Sequence, residues 1–192
     1  MSSKYLIWVL LFASLMSGIL GVRYYMMQRY RQVNVPPSLP IRMQLSSPAF
    51  NDGEQIPTQY TCDGANVSPP LQITDVPTGT KSLALIMWDP DVPKNLRSDG
   101  NFDHWIVFNI PPTITEISED VRNLGVLGVN TRGDSAYVGP CPPDREHRYF
   151  FRLYALDTVL SLDSEKTKGD LEQAMAGHIL DQATLIGRYV RH

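Results

Sequence analysis

Five short apolar runs, separated by turns rich in proline, glycine and aspartate, constrain the fold of this chain more than any other feature. Apolar runs of this length between turn residues predict β-strands. The runs are residues 71–76, 82–88, 104–110, 149–156 and 184–190, and only 168–181 has a clear helical period. The runs at 82–88 and 149–156 are apolar nearly throughout, which is typical of strands covered on both faces. The sequence therefore predicts a mostly β domain with peripheral α-helix.

The first thirty-one residues have a different character. From Leu6 to Val22 the chain carries no charged residue, and a helix of about 17 residues spans about 26 Å against a hydrocarbon core of roughly 30 Å. We therefore predict an uncleaved membrane anchor at 1–31, with a cleaved signal peptide as the alternative. Residues 32–42, which contain three prolines, are predicted to form an extended linker. The flanking charges fit either orientation, and we take a periplasmic rather than a cytoplasmic domain as the hypothesis.

Residues 43–192 are enough for one domain. The chain has 17 basic and 20 acidic residues, and four basic but no acidic residues lie in 1–31, which leaves 13 basic against 20 acidic residues and a net charge of −7 for residues 32–192. A domain with this charge is not suited to binding nucleic acid or an anionic lipid surface. If the domain binds an anion, a local pocket has to attract it strongly enough to overcome the repulsion from the negative net charge of the domain.

Three segments carry polar side chains at the ends of predicted strands. Two of them are rich in proline, and the third begins an apolar run. They are Asp89-Pro90-Asp91-Val92-Pro93, then His104 at the start of its run, and Gly139-Pro140-Cys141-Pro142-Pro143 followed by His147 and Tyr149. Proline fixes its own φ angle and restricts the residue before it, so these loops are rigid and can hold side chains at fixed distances. Binding residues often lie on such loops, at strand ends.

Together with shorter motifs in the same order, these segments resemble the phosphatidylethanolamine-binding protein family, in its bacterial Raf-kinase-inhibitor-like branch. The further motifs are Tyr60-Thr61-Cys62-Asp63-Gly64, Ser68-Pro69-Pro70-Leu71, the run from His104 to Pro111, Tyr154-Ala155-Leu156-Asp157 and Ala176-Gly177-His178, collinear over residues 43–191. The resemblance implies a large β-sheet packed on a smaller one, with a few peripheral helices near the C-terminus. It also implies a regulatory or inhibitory binding protein, acting on a partner such as a kinase or protease, with no catalytic residues, cofactor or metal ion.

The resemblance further implies a pocket for a phosphate-like or carboxylate anion, for example a phospholipid headgroup. We expect it to be formed by Asp89, Asp91, His104, Gly139, Cys141, Pro142, His147 and Tyr149. Charged histidines donate from both ring nitrogens, tyrosine adds a hydroxyl, and backbone amides of the 139–141 loop add further donors. An ionised Asp89 repels an anion, so its expected role is to accept a hydrogen bond from a histidine and fix its tautomer, whereas Asp91 is expected to tie the loop together.

Other interpretations use the same side chains. Two histidines and two aspartates could ligate zinc or iron, but no pair has the spacing of a metal motif. A hydrolase, esterase or phosphatase, would use His104 or His147 to activate a nucleophile, but no nucleophile motif is present. A structural envelope protein with a vestigial pocket is the third alternative.

Three remaining features stay outside the predicted site or leave alternatives open. His178 falls at helical spacing with apolar residues, so it is predicted to lie on a packed helix face. The adhesion-like tripeptide Arg132-Gly133-Asp134 is interpreted as a chance match. Cys62 and Cys141 are the only cysteines, and at this point a disulfide and two free thiols are both open.

Overall fold

The computed structural model describes residues 18–29 and 42–191. Residues 18–29 are helical and exposed, and they belong to a different compact unit from the domain that follows. Within these two described ranges, no helix is long and apolar enough to cross a membrane. Residues 6–17, which form most of the predicted membrane segment, and 32–41 of the predicted linker lie outside the described residues. The membrane anchor and the linker therefore stay predictions.

Eight β-strands form two antiparallel sheets in the described domain. The strands are β1 (Gln44–Ser46), β2 (Leu71–Thr74), β3 (Ser82–Asp89), β4 (Phe102–Ile110), β5 (Glu116–Ile117), β6 (Val126–Leu127), β7 (His147–Leu156) and β8 (Ile179–Tyr189). The larger sheet has the order β6-β4-β3-β7-β8 and the smaller sheet the order β1-β2-β5. Each of the five predicted runs coincides with a strand, although 71–76 extends two residues and 184–190 one residue past the strand end. The short strands β1, β5 and β6 were not predicted. A mostly β domain with a large and a small sheet is thus confirmed.

The central strand of the larger sheet is covered on both faces. From Ser82 to Met87, β3 is at most 2% exposed, as its continuous apolar run predicted. One face packs on the smaller sheet in a core that includes Leu85 and Ile73. The other face packs under the helical segment 168–175, through residues such as Ile86. A strand held on both sides keeps its end, where Asp89 lies, in a fixed position.

The helix α1 (Lys168–Met175) begins with a capping box. The Thr167 hydroxyl accepts from the Asp170 N–H, and the Asp170 carboxylate accepts from the Thr167 N–H, which satisfies two of the free donors of the first turn. The helix ends because Ala176 is extended and Gly177 has a φ of +81°, a left-handed value that favours glycine.

The predicted helix 168–181 is therefore too long, and the packed position of His178 is wrong. His178 is exposed in the turn between α1 and β8, and its Nδ1 lies 2.8 Å from Asp157 Oδ1. Within residues 42–191 the chain has this one α-helix and a short 3-10 helix, Thr58–Tyr60, rather than several C-terminal helices. Apolar spacing alone did not reveal that Gly177 reverses the chain.

Candidate functional site

Three strand ends of the larger sheet meet at one edge. Because β3 runs antiparallel to both β4 and β7, its C-terminal end lies beside the N-terminal ends of its two neighbours. Asp89 is in register with Phe102 of β4, and the residue before it is in register with Phe150 of β7. This register brings Asp89, His104 and His147 to one place although they are distant in the sequence.

A cavity of about 300 Å³ opens at this edge. Its polar side chains are Asp89, Arg97, His104 and Arg132, and the loop after β6 contributes Gly139 and Cys141. Its apolar walls are Val92, Leu96, Phe102, Val138 and Pro143. The cavity thus combines two guanidinium groups, one carboxylate and one imidazole with a substantial apolar surface, a composition typical of small-molecule sites.

Only half of the predicted site residues line this cavity. Asp89, His104, Gly139 and Cys141 do, whereas Asp91, Pro142, His147 and Tyr149 lie outside its lining. The contacts of Asp91, His147 and Tyr149 explain their placement, because each of these side chains holds a neighbouring part of the site in position.

His147 is fully buried between two carboxylates. Its Nδ1 lies 2.7 Å from Asp89 Oδ2 and its Nε2 lies 2.9 Å from Asp144 Oδ1. Both nitrogens can donate at once only when the ring carries a positive charge. Burial raises the pKa of Asp89, and the hydrogen bond from His147 opposes this effect. Asp89 thus makes the histidine contact that its predicted orienting role requires, and His147 has no ring nitrogen left for an anion.

His104 is held in one tautomer by the neighbouring loop. Its Nδ1 donates to the Val138 carbonyl at 2.6 Å, and the Val138 N–H donates back to the His104 carbonyl at 3.0 Å. Burial lowers the pKa of His104 to about 4, opposed by the Val138 carbonyl and assisted by the positive charge of Arg132. Near neutral pH the ring is therefore uncharged, its proton is on Nδ1, and Nε2 carries a lone pair. This differs from the expected histidine that donates from both nitrogens.

Tyr149 packs behind His104. The two rings meet edge to face, with centroids 5.3 Å apart and planes at 77°. Burial, and after it the negative charge of Asp89, raises the pKa of the Tyr149 hydroxyl. The hydroxyl is therefore protonated and the aromatic ring restricts the position of His104.

Asp91 ties the loop after β3 to β7. Its two carboxylate oxygens accept from Nε and Nη2 of Arg148 at 2.8 Å each, and one of them also accepts from the Arg148 backbone N–H at 3.0 Å. The hydrogen bond from Arg148 lowers the pKa of Asp91, so the carboxylate is ionised. These contacts are the ones that the predicted loop-tying role of Asp91 requires.

The loop at 139–141 is attached at two points to a preceding segment. The Gly139 N–H donates to Asn66 Oδ1 at 2.8 Å, and a Cβ atom at this position would collide with the Tyr60 carbonyl. Cys141 forms a disulfide with Cys62, with Cα atoms 5.4 Å apart, which decides between the two cysteine alternatives. The Gly139 N–H is occupied, the next residue is a proline, and the Cys141 amide is directed at the Tyr149 hydroxyl, so the loop amides are engaged within the protein.

Sequence reasoning missed Arg97, Arg132 and Asp144. Arg132 reaches the cavity because the Thr131 N–H donates to the Asp103 carbonyl at 3.0 Å, which places this turn beside His104. The Arg-Gly-Asp tripeptide in a turn was the only local signal. Its interpretation as a chance match overlooked the possibility that the arginine belongs to the site.

The rival interpretations gain no support from the geometry. Among residues 18–29 and 42–191, no group of three or more His, Cys, Asp or Glu side chains could hold a metal ion. None of the residues that line the cavity has a hydroxyl, and the lining Cys141 is in a disulfide. The hydrolase alternative therefore has no nucleophile among the lining side chains.

Comparison with known proteins places this geometry in a family. The sequence profile described as phosphatidylethanolamine-binding protein matches residues 46–190. The chain belongs to this family. A UPF0098 protein of Chlamydia pneumoniae is 54% identical over 147 residues, which cover 77% of this chain and 98% of that relative.

Two solved structures of the phosphatidylethanolamine-binding protein family extend the comparison. CT736 of Chlamydia trachomatis, described as a homologue of these proteins, has a TM-score of 0.77 and 48% identity and matches 79% of this chain and 99% of its own. YbcL of E. coli, described as a new member of the mammalian family, has a TM-score of 0.71 and 30% identity and matches 79% of this chain and 100% of its own. The family and fold expected from the motifs are thus confirmed.

Proposed function

We propose that the domain is a binding protein for a small anionic group, such as a phosphate monoester or a phospholipid headgroup. The observation that carries this proposal is the cavity of about 300 Å³ in which Arg97 and Arg132 lie near His104. In a domain with an excess of acidic residues, two guanidinium groups at one cavity create a local attraction for an anion. The apolar walls of the cavity would accommodate the remainder of the ligand.

The binding protein is proposed to act as a regulatory or inhibitory module. A kinase or a protease is the partner class that the family resemblance suggests, and the net charge of the domain argues against a nucleic acid partner. A partner of this kind should co-purify with the full-length chain, and its absence from such a preparation would count against a regulatory role.

Titration calorimetry with phosphoethanolamine tests the binding function. His104→Ala is expected to weaken binding by about 1 to 3 kcal/mol, the scale of a lost hydrogen bond to a charged group. His178→Ala is the matched control, because His178 is exposed and lies outside the cavity lining. This variant should bind phosphoethanolamine with the affinity of the wild type. If the wild-type protein does not bind phosphoethanolamine, or if both variants bind it like the wild type, the proposed site is wrong.

We also propose that residues 1–31 anchor the domain to a membrane. The uncharged stretch from Leu6 to Val22 supports this, because burial of such a segment in the bilayer exceeds what a peripheral attachment provides. The full-length protein should therefore stay in the membrane pellet after carbonate extraction and keep its N-terminus by intact mass. Release into the supernatant, or a mature chain that starts near residue 18 or 22, would contradict the anchor.

A further inference from the structure

The hydrogen-bonding groups of the cavity are of two kinds. Arg132 is exposed, and its guanidinium makes no hydrogen bond or ion pair with any residue in the described ranges 18–29 and 42–191. Arg97, in contrast, is held by Asp99 at 3.0 Å and by the Asn101 carbonyl at 2.6 Å. Arg132 is therefore the more available cation for a bound anion.

The second kind of group is an acceptor. His104 Nδ1 is committed to the Val138 carbonyl, so Nε2 is on the opposite side of the ring and makes no hydrogen bond within the described part of the chain. Ser68 Oγ is the only occluded side-chain polar atom without a partner among these residues. His104 Nε2 is therefore not occluded, and His104 is one of the side chains that line the cavity.

We propose that the site selects an anion that brings its own proton, the monoanion of a phosphate monoester. The P–OH group donates to His104 Nε2, while the unprotonated phosphate oxygens accept from Arg132. This inference rests on the proposed function and names the ligand class of the same site. The carboxylate of Asp89 in the cavity lining favours the same species, because it repels a dianion more strongly than a monoanion.

The lowered pKa of His104, about 4, is consistent with this assignment, because the imidazole remains an acceptor at the pH where the monoanion is abundant. The second pKa of a phosphate monoester is about 6. Near that pH the ligand, rather than the histidine, supplies the shared proton. Binding then requires no charged imidazole in the buried position of His104.

A site of this kind rejects anions that have no proton to donate. A sulfate monoester has the same tetrahedral shape and a single negative charge, but it carries no O–H group near neutral pH. It would place an oxygen lone pair against the lone pair of Nε2, and sites that pair with a donor discriminate strongly against analogues that lack it. A phosphate diester, the form found in most phospholipid headgroups, lacks the P–OH group in the same way.

The apolar walls suggest which probes to use. Phe102, Val92 and Val138 line the cavity and can pack against an aromatic ester group. Phenyl phosphate, phenyl sulfate and methyl phenyl phosphate share this group and differ in the presence of the acidic hydroxyl. At about pH 5, below the second pKa of the phosphate monoester, all three esters carry a single negative charge. The comparison at that pH therefore isolates the donor from the charge and from the apolar contact.

Titration calorimetry of the full-length protein at about pH 5 with these three esters tests the proposal, because phenyl phosphate is then mostly the monoanion. Phenyl phosphate is expected to bind at least about tenfold more tightly than either of the other two esters. Arg132→Gln should weaken phenyl phosphate binding by about tenfold or more, the size expected for a charge-assisted hydrogen bond. Arg122→Gln is the matched control, because Arg122 is an exposed arginine paired with Asp120 and lies outside this cavity.

Equal affinity for the phosphate and sulfate monoesters would overturn the acceptor role of His104 and leave anion binding intact. Tight binding of the diester would overturn the monoester selection in favour of a lipid headgroup. An unchanged affinity in Arg132→Gln would remove Arg132 from the site. Absence of binding by phenyl phosphate together with phosphoethanolamine would overturn the proposed function itself. The comparison of ligands uses the wild-type protein, so it does not depend on the folding of any variant.

Discussion

Replacing Cys62 and Cys141 together by alanine is expected to lower the free energy of unfolding by about 4 kcal/mol. The bridge joins residues 79 positions apart, and in the chain-entropy model a disulfide stabilises a protein by restricting the unfolded chain, more so for a longer loop. Urea unfolding of the wild type and the double variant, followed by fluorescence of the buried Trp105 and the other tryptophans, measures the difference.

The reductant supplies the control for this prediction. Dithiothreitol should destabilise the wild type to the level of the double variant and leave the double variant unchanged, because only the wild type has a bond to reduce. A loss below about 1 kcal/mol would mean that the bridge does not constrain the unfolded chain as the entropy model requires. An equal response of both proteins to the reductant would mean that the bond does not form in solution.

The parts of the fold that the sequence predicted depend on local pattern. The run from Ser82 to Trp88 identifies a buried central strand because a strand with two covered faces needs apolar residues throughout. The predicted helix at 168–181 is too long because the apolar spacing continues past Gly177. The short strands β5 and β6 have two residues each, too few for any period to be visible.

In the site, too, the features that depend on local sequence could be predicted, and those that depend on tertiary contacts could not. Motifs identified Asp89, His104 and the Gly139 loop, since those loops are rigid in isolation and need little context. The protonation of His104 could not be predicted, because it results from burial and from a hydrogen bond to Val138 in another loop. Arg132 reaches its position through the contact of Thr131 with Asp103, a segment distant in the sequence, so no local spacing marks it. Asp144 contacts His147 only three residues away, but a carboxylate at that spacing in a loop is too common to mark a site.

The two carboxylates that contact His147 differ more in their burial than in their distance from the imidazole. They lie 2.7 and 2.9 Å from the two ring nitrogens, but the Asp89 side chain is 5% exposed and that of Asp144 is 45% exposed. Asp89 also accepts the Asp91 N–H at 2.8 Å on its other oxygen. An asparagine at position 89 would have one acceptor oxygen for two donors, so its amide nitrogen would face one of them in a buried position.

Asp89→Asn is therefore expected to cost about 3 kcal/mol of unfolding free energy, the upper end of the cost of leaving a buried polar group without its partner. Asp144→Asn, which removes the exposed carboxylate from the same imidazole, should cost less than about 1 kcal/mol, because water replaces the lost partner. Urea unfolding of both variants at pH 7 gives the two values under the same conditions. Similar losses in the two variants would contradict the assignment, because they would mean that burial does not distinguish the two contacts. A large loss confined to Asp89→Asn would identify the Asp89–His147 pair as the support on which the cavity wall rests.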